Sequence, residues 1–227
     1  MRGILIRTGM AATLLVCSSW LNAASLQAQV VDQQGHPLSG AVLTLRGGPL
    51  PATPGAKAIM DQRKQEFVPH VLAVRTGTLI SFPNSDNIRH QVYSFSAPKR
   101  FELRLYEGTP TDPLLFDKPG VVVLGCNIHD WMLGYIYVSD DPWFAVTDAN
   151  GKLSIDQLPA GHYSVTLWHP QVTDMLNQSG GELDIAAAGT SHNFSLAVQP
   201  PAGDATAAPA PSAFGNAFGN ALSEPQK

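Results

Sequence analysis

Short runs in which apolar and polar residues alternate, separated by clusters of turn residues, follow one another along most of this chain. Alternation with a period of two is typical of half-buried β-strands. The runs that predict strands are residues 30–31, 41–45, 67–74, 78–82, 88–95, 101–106, 121–126, 132–138, 153–155 and 163–168. Residues 47–57 are predicted to form a loop, and residues 110–115 are compatible with a single helical turn. We expect an all-β protein, built as a sandwich or a barrel.

Composition narrows the class of protein. Of the 227 residues, 44% are hydrophobic and 14% are charged, which is enough apolar material for a buried core in one or two domains. Lys and Arg total 14 against 18 Asp and Glu, so no basic face for nucleic acid is expected. Beyond the N-terminus no apolar run is long enough to span a membrane. A nucleic-acid binder and a large helical enzyme are therefore both disfavoured.

The first 28 residues have the pattern of a secretory signal peptide. Arg2 and Arg7 precede a short apolar stretch at residues 10–17, and small residues follow, with cleavage expected after Ala23 or after Ala28. An N-terminal membrane anchor is the alternative, which the shortness of the apolar stretch disfavours. Removing the segment takes away two basic residues and no acidic ones, so the net charge becomes −6 (12 basic against 18 acidic). We expect a periplasmic location.

Cleavage also removes Cys17 and leaves Cys126 as the only cysteine. A single cysteine cannot form an internal disulfide, so in an exported protein it is buried, paired with another molecule or bound to a metal. His129 follows Cys126 after three residues and Met132 after three more, while His90 lies on an earlier predicted strand. Two imidazoles, a thiolate and a thioether are the donor set of a blue-copper site. Three residues span at most about 10 Å, so the three donors of the loop can face one point.

Residues 67–138 resemble the cupredoxins in three motifs. These are the Asn84-x-Asp86-x-x-x-His90 turn, the Phe-Asp-Lys-Pro-Gly segment at residues 116–120, and the Cys-x-x-His-x-x-Met loop at residues 126–132. The loop spacing matches that of amicyanin, and the whole chain resembles periplasmic proteins labelled for methylamine utilisation. The resemblance implies a Greek-key β-sandwich that binds one type 1 copper ion per chain.

The resemblance also assigns a role to four side chains. His90 and His129 are the imidazole ligands, Cys126 is the thiolate ligand and Met132 is a weak axial ligand, with electrons leaving through His129. It implies a protein that is not an enzyme and that carries single electrons between periplasmic redox partners, such as a c-type cytochrome or a dehydrogenase. Two alternatives stay open: a periplasmic copper storage or delivery protein, and a structural or binding β-protein in which copper is incidental.

Two residues depart from the cupredoxin pattern, and other residues argue against a zinc site and against a hydrolase. Gln91 stands where the family usually has Asn, and Asp130 stands where amicyanin has proline, which makes the expected docking surface more polar. Methionine is a poor zinc ligand, so zinc is disfavoured. A Cys–His hydrolase would need an oriented base and an oxyanion hole, which the sequence does not supply. Three further histidines are interpreted as structural or surface residues: His70, His162 and His169.

A second resemblance concerns the two ends of the chain. Residues 32–41 and 147–163 are similar to the opening and the return of a transthyretin-like or carboxypeptidase-regulatory-like β-sandwich, and Asn150-Gly151 predicts a tight hairpin within the return. This resemblance carries no chemistry. The predicted organisation is a signal peptide at 1–28, the first strands of the transthyretin-like module at 29–56, a cupredoxin-like copper domain at 57–142, the remaining strands of the transthyretin-like module at 143–198, and a disordered Ala/Pro-rich tail at 199–227.

Overall fold

The structure is a computed structural model that describes residues 24–48, 56–110 and 112–199. Its strands are β1 (Ala24–Val31), β2 (Val42–Arg46), β3 (Lys57–Ile59), β4 (Asp61–Arg63), β5 (Glu66–Val68), β6 (Val71–Arg75), β7 (Thr78–Ser81), β8 (His90–Ser94), β9 (Phe101–Tyr106), β10 (Leu114–Phe116), β11 (Gly120–Gly125), β12 (Leu133–Ser139), β13 (Trp143–Val146), β14 (Lys152–Leu158), β15 (Gly161–Trp168), β16 (Gln178–Ile185) and β17 (Thr190–Ser195). Among the described residues, a 3-10 turn at Thr173–Met175 is the only helical element. The prediction of an all-β protein is confirmed.

The first strands of the described chain pair with the last ones. β1 lies between β14, to which it is antiparallel, and β17, to which it is parallel. A second sheet has the order β13-β2-β15-β16. Alternate residues of the two sheets share one apolar core, which includes Leu26 and Val30 of β1 and Leu43 and Leu45 of β2. We call residues 24–48 and 143–199 the flanking module.

The residues between these two segments, 56–110 and 112–142, form the inserted module. Its larger sheet has the order β6-β12-β11-β8-β9, a smaller sheet has the order β10-β7-β3, and β4 and β5 form a separate hairpin. Phe116 of β10 and Val122 and Leu124 of β11 belong to a second apolar core, which includes Cys126 at the end of β11. The valine-rich strand β11 therefore delivers the cysteine to one end of this core.

Strand β12 is buried on both faces, which explains its apolar sequence. Ile136 and Val138 belong to the core of the inserted module. Tyr135 and Tyr137 point the other way and join the core of the flanking module, where their ring centroids lie 5.8 and 5.6 Å from that of Trp168 on β15. The flanking module thus covers the outer face of the sheet that contains β11 and β12, the strands before and after the candidate ligand loop.

Three local predictions differ from the structure. Residues 67–74 are divided between β5 and β6, because Pro69 has no N–H to donate to a strand ladder. Leu114–Phe116 forms β10 rather than a helical turn, because it pairs with β7. The Asn150-Gly151 turn does form, with the Gly151 amide donating to the Asp148 carbonyl (3.0 Å). However, β13 and β14 join different sheets, since β13 pairs with β2 and β14 with β1.

The predicted signal peptide and tail fall mainly outside the described residues, which begin at 24 and end at 199. β1 begins at Ala24, so residues 24–28, assigned to the signal peptide from the sequence, form part of a strand. A search of the described residues finds no helix with the length and hydrophobicity needed to span a membrane.

Candidate metal centre

A turn and a short strand position the first histidine. His90 is the first residue of β8, pairs with Tyr106 of β9, and is fully buried. The side-chain amide of Asn84 donates to the backbone carbonyls of Ile88 (2.8 Å) and Tyr106 (2.9 Å), which closes the turn before β8. Asparagine commonly stabilises turns through such bonds to nearby backbone. The motif that begins at Asn84 therefore corresponds to a folded turn that fixes the imidazole.

The end of β11 and a tight loop position the cysteine and the second histidine. Cys126 follows Gly125, where an added Cβ would lie 2.7 Å from the ring of Tyr93, so the lack of a side chain lets this ring pack against β11. After the cysteine, the amide of Met132 donates to the carbonyl of His129 (2.9 Å), and the chain turns directly into β12. Cys126 is 2% exposed and His129 is partly buried.

The three side chains converge as the sequence predicts. Cys126 Sγ lies 3.9 Å from Nδ1 of His90 and 3.9 Å from Nδ1 of His129, and the candidate ligand atoms all lie within 4.8 Å of one another. Metal–sulfur and metal–nitrogen bonds of about 2.3 and 2.0 Å separate sulfur from nitrogen by about 3.7 Å at a trigonal ion and about 3.5 Å at a tetrahedral one. The observed separations exceed both values by about 0.2–0.4 Å, so the three donors can surround one metal ion. Two imidazoles and a thiolate are the His2Cys set of blue-copper sites. The residues therefore fit copper without rearrangement of the chain.

Asp86, in the same turn as Asn84, orients the buried imidazole. Its Oδ2 lies 2.8 Å from Nε2 of His90. A carboxylate can only accept, so Nε2 carries the hydrogen and the lone pair of Nδ1 faces Cys126. Carboxylate–histidine–metal arrangements of this kind fix the tautomer and raise the basicity of the ligand. The signal in the sequence is the position of Asp86 four residues before His90, within the same turn.

The β4–β5 hairpin holds Asp86 in turn. The carboxylate accepts hydrogen bonds from the backbone amides of Lys64 and Gln65, and the neighbouring Ser85 donates to Asp61 (2.9 Å). Burial raises the pKa of Asp86, but the hydrogen bonds from the Gln65 amide and from His90 outweigh this effect and hold the pKa below its ordinary value. Asp86 is therefore a fixed negative charge beside the centre.

His129 lies between two rings at the edge of the site. Its ring centroid is 5.0 Å from that of His90 and 5.1 Å from that of Trp131. Burial, together with the proximity of His90, lowers the pKa of His129. A neutral imidazole is the form that binds a metal ion. Trp131, which was not placed in the site from the sequence, is thus in contact with one of the candidate ligands.

Met132, the fourth predicted ligand, is 1% exposed and belongs to the same core as Cys126. Its backbone is tied to His129 by the hydrogen bond described above. The structure therefore brings Met132 into the loop and the core that hold the cysteine, and its assignment as an axial ligand stays a prediction.

Other polar residues singled out in the sequence lie away from the three converging side chains. Gln91 donates to Glu102 (2.7 Å) rather than to the ligand loop. His162 is exposed and pairs with Asp184 (2.7 Å). His169 is buried and donates to the carbonyl of Ser39 (3.0 Å). His162 and His169 thus occupy the surface and structural positions expected of them.

Cupredoxins are among the solved structures to which this chain is similar. The purple cupredoxin from Nitrosopumilus maritimus is 22% identical, with a TM-score of 0.32 over 37% of this chain and 99% of its own. An oxidised point mutant of amicyanin, in which glycine replaces a proline, is 19% identical, with a TM-score of 0.34 over 40% of this chain and 97% of its own.

A copper-containing nitrite reductase from Thermus scotoductus SA-01 is 23% identical, with a TM-score of 0.34 over 49% of this chain and 28% of its own. At these identities and TM-scores the similarities carry no argument about function. No protein-family model and no curated protein matches the chain.

Proposed function

We propose that this protein binds one copper ion through His90, Cys126 and His129, with Met132 as a weak axial ligand, and that it transfers single electrons. The observation that supports this proposal is the equal 3.9 Å separation of Cys126 Sγ from the Nδ1 atoms of two histidines. A thiolate is a soft ligand suited to Cu(I), while imidazoles also accept Cu(II). A donor set of this composition serves both oxidation states.

Bound copper would supply the one-electron step, and the chain supplies a fixed set of donors around it. His90 is held through Asp86, and Cys126 is held by the close packing of Gly125 on Tyr93. Because these supports are hydrogen bonds and packing within the chain, the donors need not move when the charge of the ion changes. His129 is partly buried, whereas His90 is fully buried, so His129 offers the shorter path between the centre and a partner.

The same residues could also form the active site of a cysteine hydrolase, because the Cys126 sulfur contacts His90 and His90 in turn contacts Asp86. A nucleophile has to reach its substrate. Cys126 is 2% exposed and His90 is 0% exposed, and a second imidazole lies as close to the sulfur as the first. These features favour a buried metal centre over a nucleophile, and we propose that the protein is a carrier rather than an enzyme.

Titration of the metal-free protein with Cu(II), followed by visible absorption, tests the copper proposal. We expect an intense thiolate-to-copper band that saturates at one copper per chain, and Cys126→Ser should abolish the band and most of the copper affinity. His162→Gln is the matched control, because it removes an exposed imidazole from the flanking module and should leave the band unchanged. A blue site that survives in Cys126→Ser would contradict the assignment.

The redox role is separable from copper storage or delivery. A carrier should be reduced and reoxidised rapidly by a small c-type cytochrome while retaining its copper. A delivery protein should give up copper readily to a chelator and exchange electrons slowly. A mature net charge of −6 (12 basic against 18 acidic residues) favours basic partners at low salt, since complementary charge raises the rate of encounter. A dehydrogenase partner, including one that acts on methylamine, belongs to the same proposal.

We also propose that the protein is exported to the periplasm and that cleavage falls after Ala23. Cleavage after Ala28 would remove the buried side chains of Ala24 and Leu26 from the middle strand of a sheet. Burial of a leucine side chain alone stabilises a fold by about 1.5–3 kcal/mol. N-terminal sequencing of the protein recovered from periplasm should therefore begin at Ala24, and a start at Gln29 would contradict this expectation.

A further inference from the structure

A small cavity lies beside Met132, where β5, the start of β6 and the end of the ligand loop meet. It has a volume of about 150 Å³ and is lined by Glu66, Phe67, His70, Trp131, Met132 and Leu133. Since a water molecule occupies about 30 Å³ of liquid, the cavity has room for a cation with part of its hydration shell. Phe67 and Met132 are the buried part of its lining, whereas Glu66 and His70 are exposed and form its rim.

His70 is held at the rim of the cavity by contacts with Tyr135. Its ring packs edge-on against the Tyr135 ring with centroids 5.3 Å apart, and its backbone carbonyl accepts a hydrogen bond from the Tyr135 amide (2.9 Å). A neutral imidazole has one ring nitrogen whose lone pair can coordinate a cation. Glu66, which lines the same cavity, supplies a carboxylate of opposite charge to that cation.

The cavity shares a wall with the proposed copper centre. Met132 belongs to its buried lining, and Trp131, which also lines it, lies against His129. Cys126 and His90 are 2% and 0% exposed, so an ion from solvent has to pass other side chains before it reaches them. The thioether of Met132 is a soft ligand that suits Cu(I), and it belongs both to the cavity lining and to the core that holds Cys126.

We propose that His70 and Glu66 form a second, transient copper site through which the ion is loaded past Met132 into the centre. This inference rests on the proposed copper function and adds to it a site of uptake. Two protein ligands bind weakly and let the ion move on, which suits loading rather than storage. No change of oxidation state is involved: the ion moves from two ligands to three, and any proton on the Cys126 thiol passes to solvent.

Stopped-flow mixing of the metal-free protein with Cu(II) sulfate, followed by the thiolate-to-copper band, tests the loading site. Because charged clefts raise association rates by about 10- to 10³-fold, Glu66→Gln should slow uptake at least about tenfold, and His70→Gln, which removes the coordinating imidazole, should slow it in the same direction. The equilibrium affinity of both variants should stay near that of the wild type. His192→Gln, which removes an exposed histidine from β17, is the matched control and should load at the wild-type rate.

A second measurement reports occupancy directly. Zn(II) added to the diamagnetic Cu(I)-loaded protein should shift the ring nitrogen resonances of His70 and not those of His192, and Glu66→Gln should weaken the shift. Equal uptake rates for His70→Gln and the wild type, or no shift at His70, would overturn the loading site and leave the copper centre intact. Failure of the wild type to develop the band at all would overturn the proposed function instead.

Discussion

The two modules are both β-sandwiches, but their buried side chains differ in kind. Of the twelve buried polar or charged residues in the described part of the chain, nine lie in the inserted module and three in the flanking module. The core of the flanking module is mainly apolar, with residues such as Leu26, Leu43 and Trp168, and an ion pair between His162 and Asp184 lies at the surface of this module. The inserted module instead buries Asp61, Gln62, Asn84 and His90 near one end.

This difference suggests a division of roles, in which one module mainly stabilises the fold and the other holds the candidate metal site. Buried polar groups stabilise a fold only when their hydrogen bonds are made. In the inserted module, the hydrogen bonds of Asn84 close a turn and that between His90 and Asp86 orients an imidazole. The flanking module contributes an apolar core that covers Tyr135 and Tyr137 on the outer face of β12. We infer that the flanking module supports the strand that follows the ligand loop, while the inserted module holds the loop itself.

Among the variants that test this comparison, Trp168→Ala is expected to have the largest effect. Trp168 is 0% exposed and packs against Tyr135 and Tyr137, and loss of a buried aromatic ring costs about 3–5 kcal/mol. Urea unfolding of the metal-free protein should reveal this loss, with little change in copper affinity at concentrations where the variant is folded. Phe95→Ala, at a residue that is 76% exposed, is the control and should stay within about 0.5 kcal/mol of the wild type.

The comparison would be contradicted if Trp168→Ala weakened copper binding as strongly as it destabilised the fold. The two modules would then act as one unit, and the division drawn above would be wrong.

Asp86→Ala is expected to have an intermediate effect, and this effect should be on copper affinity more than on the stability of the fold. Removal of a residue that orients a metal ligand typically lowers metal affinity by about 10- to 100-fold. Competition with a chelator of known copper affinity measures the loss, and Asp86→Asn should lie between the alanine variant and the wild type because its amide oxygen can still accept from His90. Unfolding of both variants should be checked in urea, since Asp86 also accepts from the amides of Lys64 and Gln65. Unchanged copper affinity in Asp86→Ala would mean that the polar turn does not support the metal centre.

The smallest effect concerns the pH dependence of the flanking module. Burial lowers the pKa of His169, against the opposing effect of its hydrogen bond to the Ser39 carbonyl. Below the pKa of the unfolded chain, the unfolded state binds more protons than the folded state, so stability falls as the pH decreases through that range. Each unit by which the pKa is lowered corresponds to about 1.4 kcal/mol.

Urea unfolding of the metal-free protein at about pH 7.5 and about pH 5, on either side of the ordinary histidine pKa, should accordingly show a smaller loss of stability in His169→Gln than in the wild type, because the two proteins differ only at this residue. An identical loss would mean that His169 accepts a proton in the folded state as easily as in the unfolded chain.

The sequence by itself determined many of the strands and the local half of the site. Alternation of apolar residues predicted β9 at its observed bounds, Phe101–Tyr106, and the spacing of Cys126, His129 and Met132 within one loop followed from chain geometry alone. The turn at Asn84 is likewise a local feature, since the Asn84 side chain donates to the carbonyl of Ile88. These could be predicted because each depends on residues that are close along the chain.

Only the tertiary structure decided which elements meet. His90 reaches Cys126 across 36 positions because β8 and β11 are neighbours in a sheet, and Asp86 is held by a hairpin more than twenty positions earlier. The same reason explains the outcome at Asn150-Gly151, where the turn forms but the strands on either side of it pair with β1 and β2 instead of with each other. Pairing of distant strands and burial of β12 between two cores depend on the whole chain, and no local pattern specifies them.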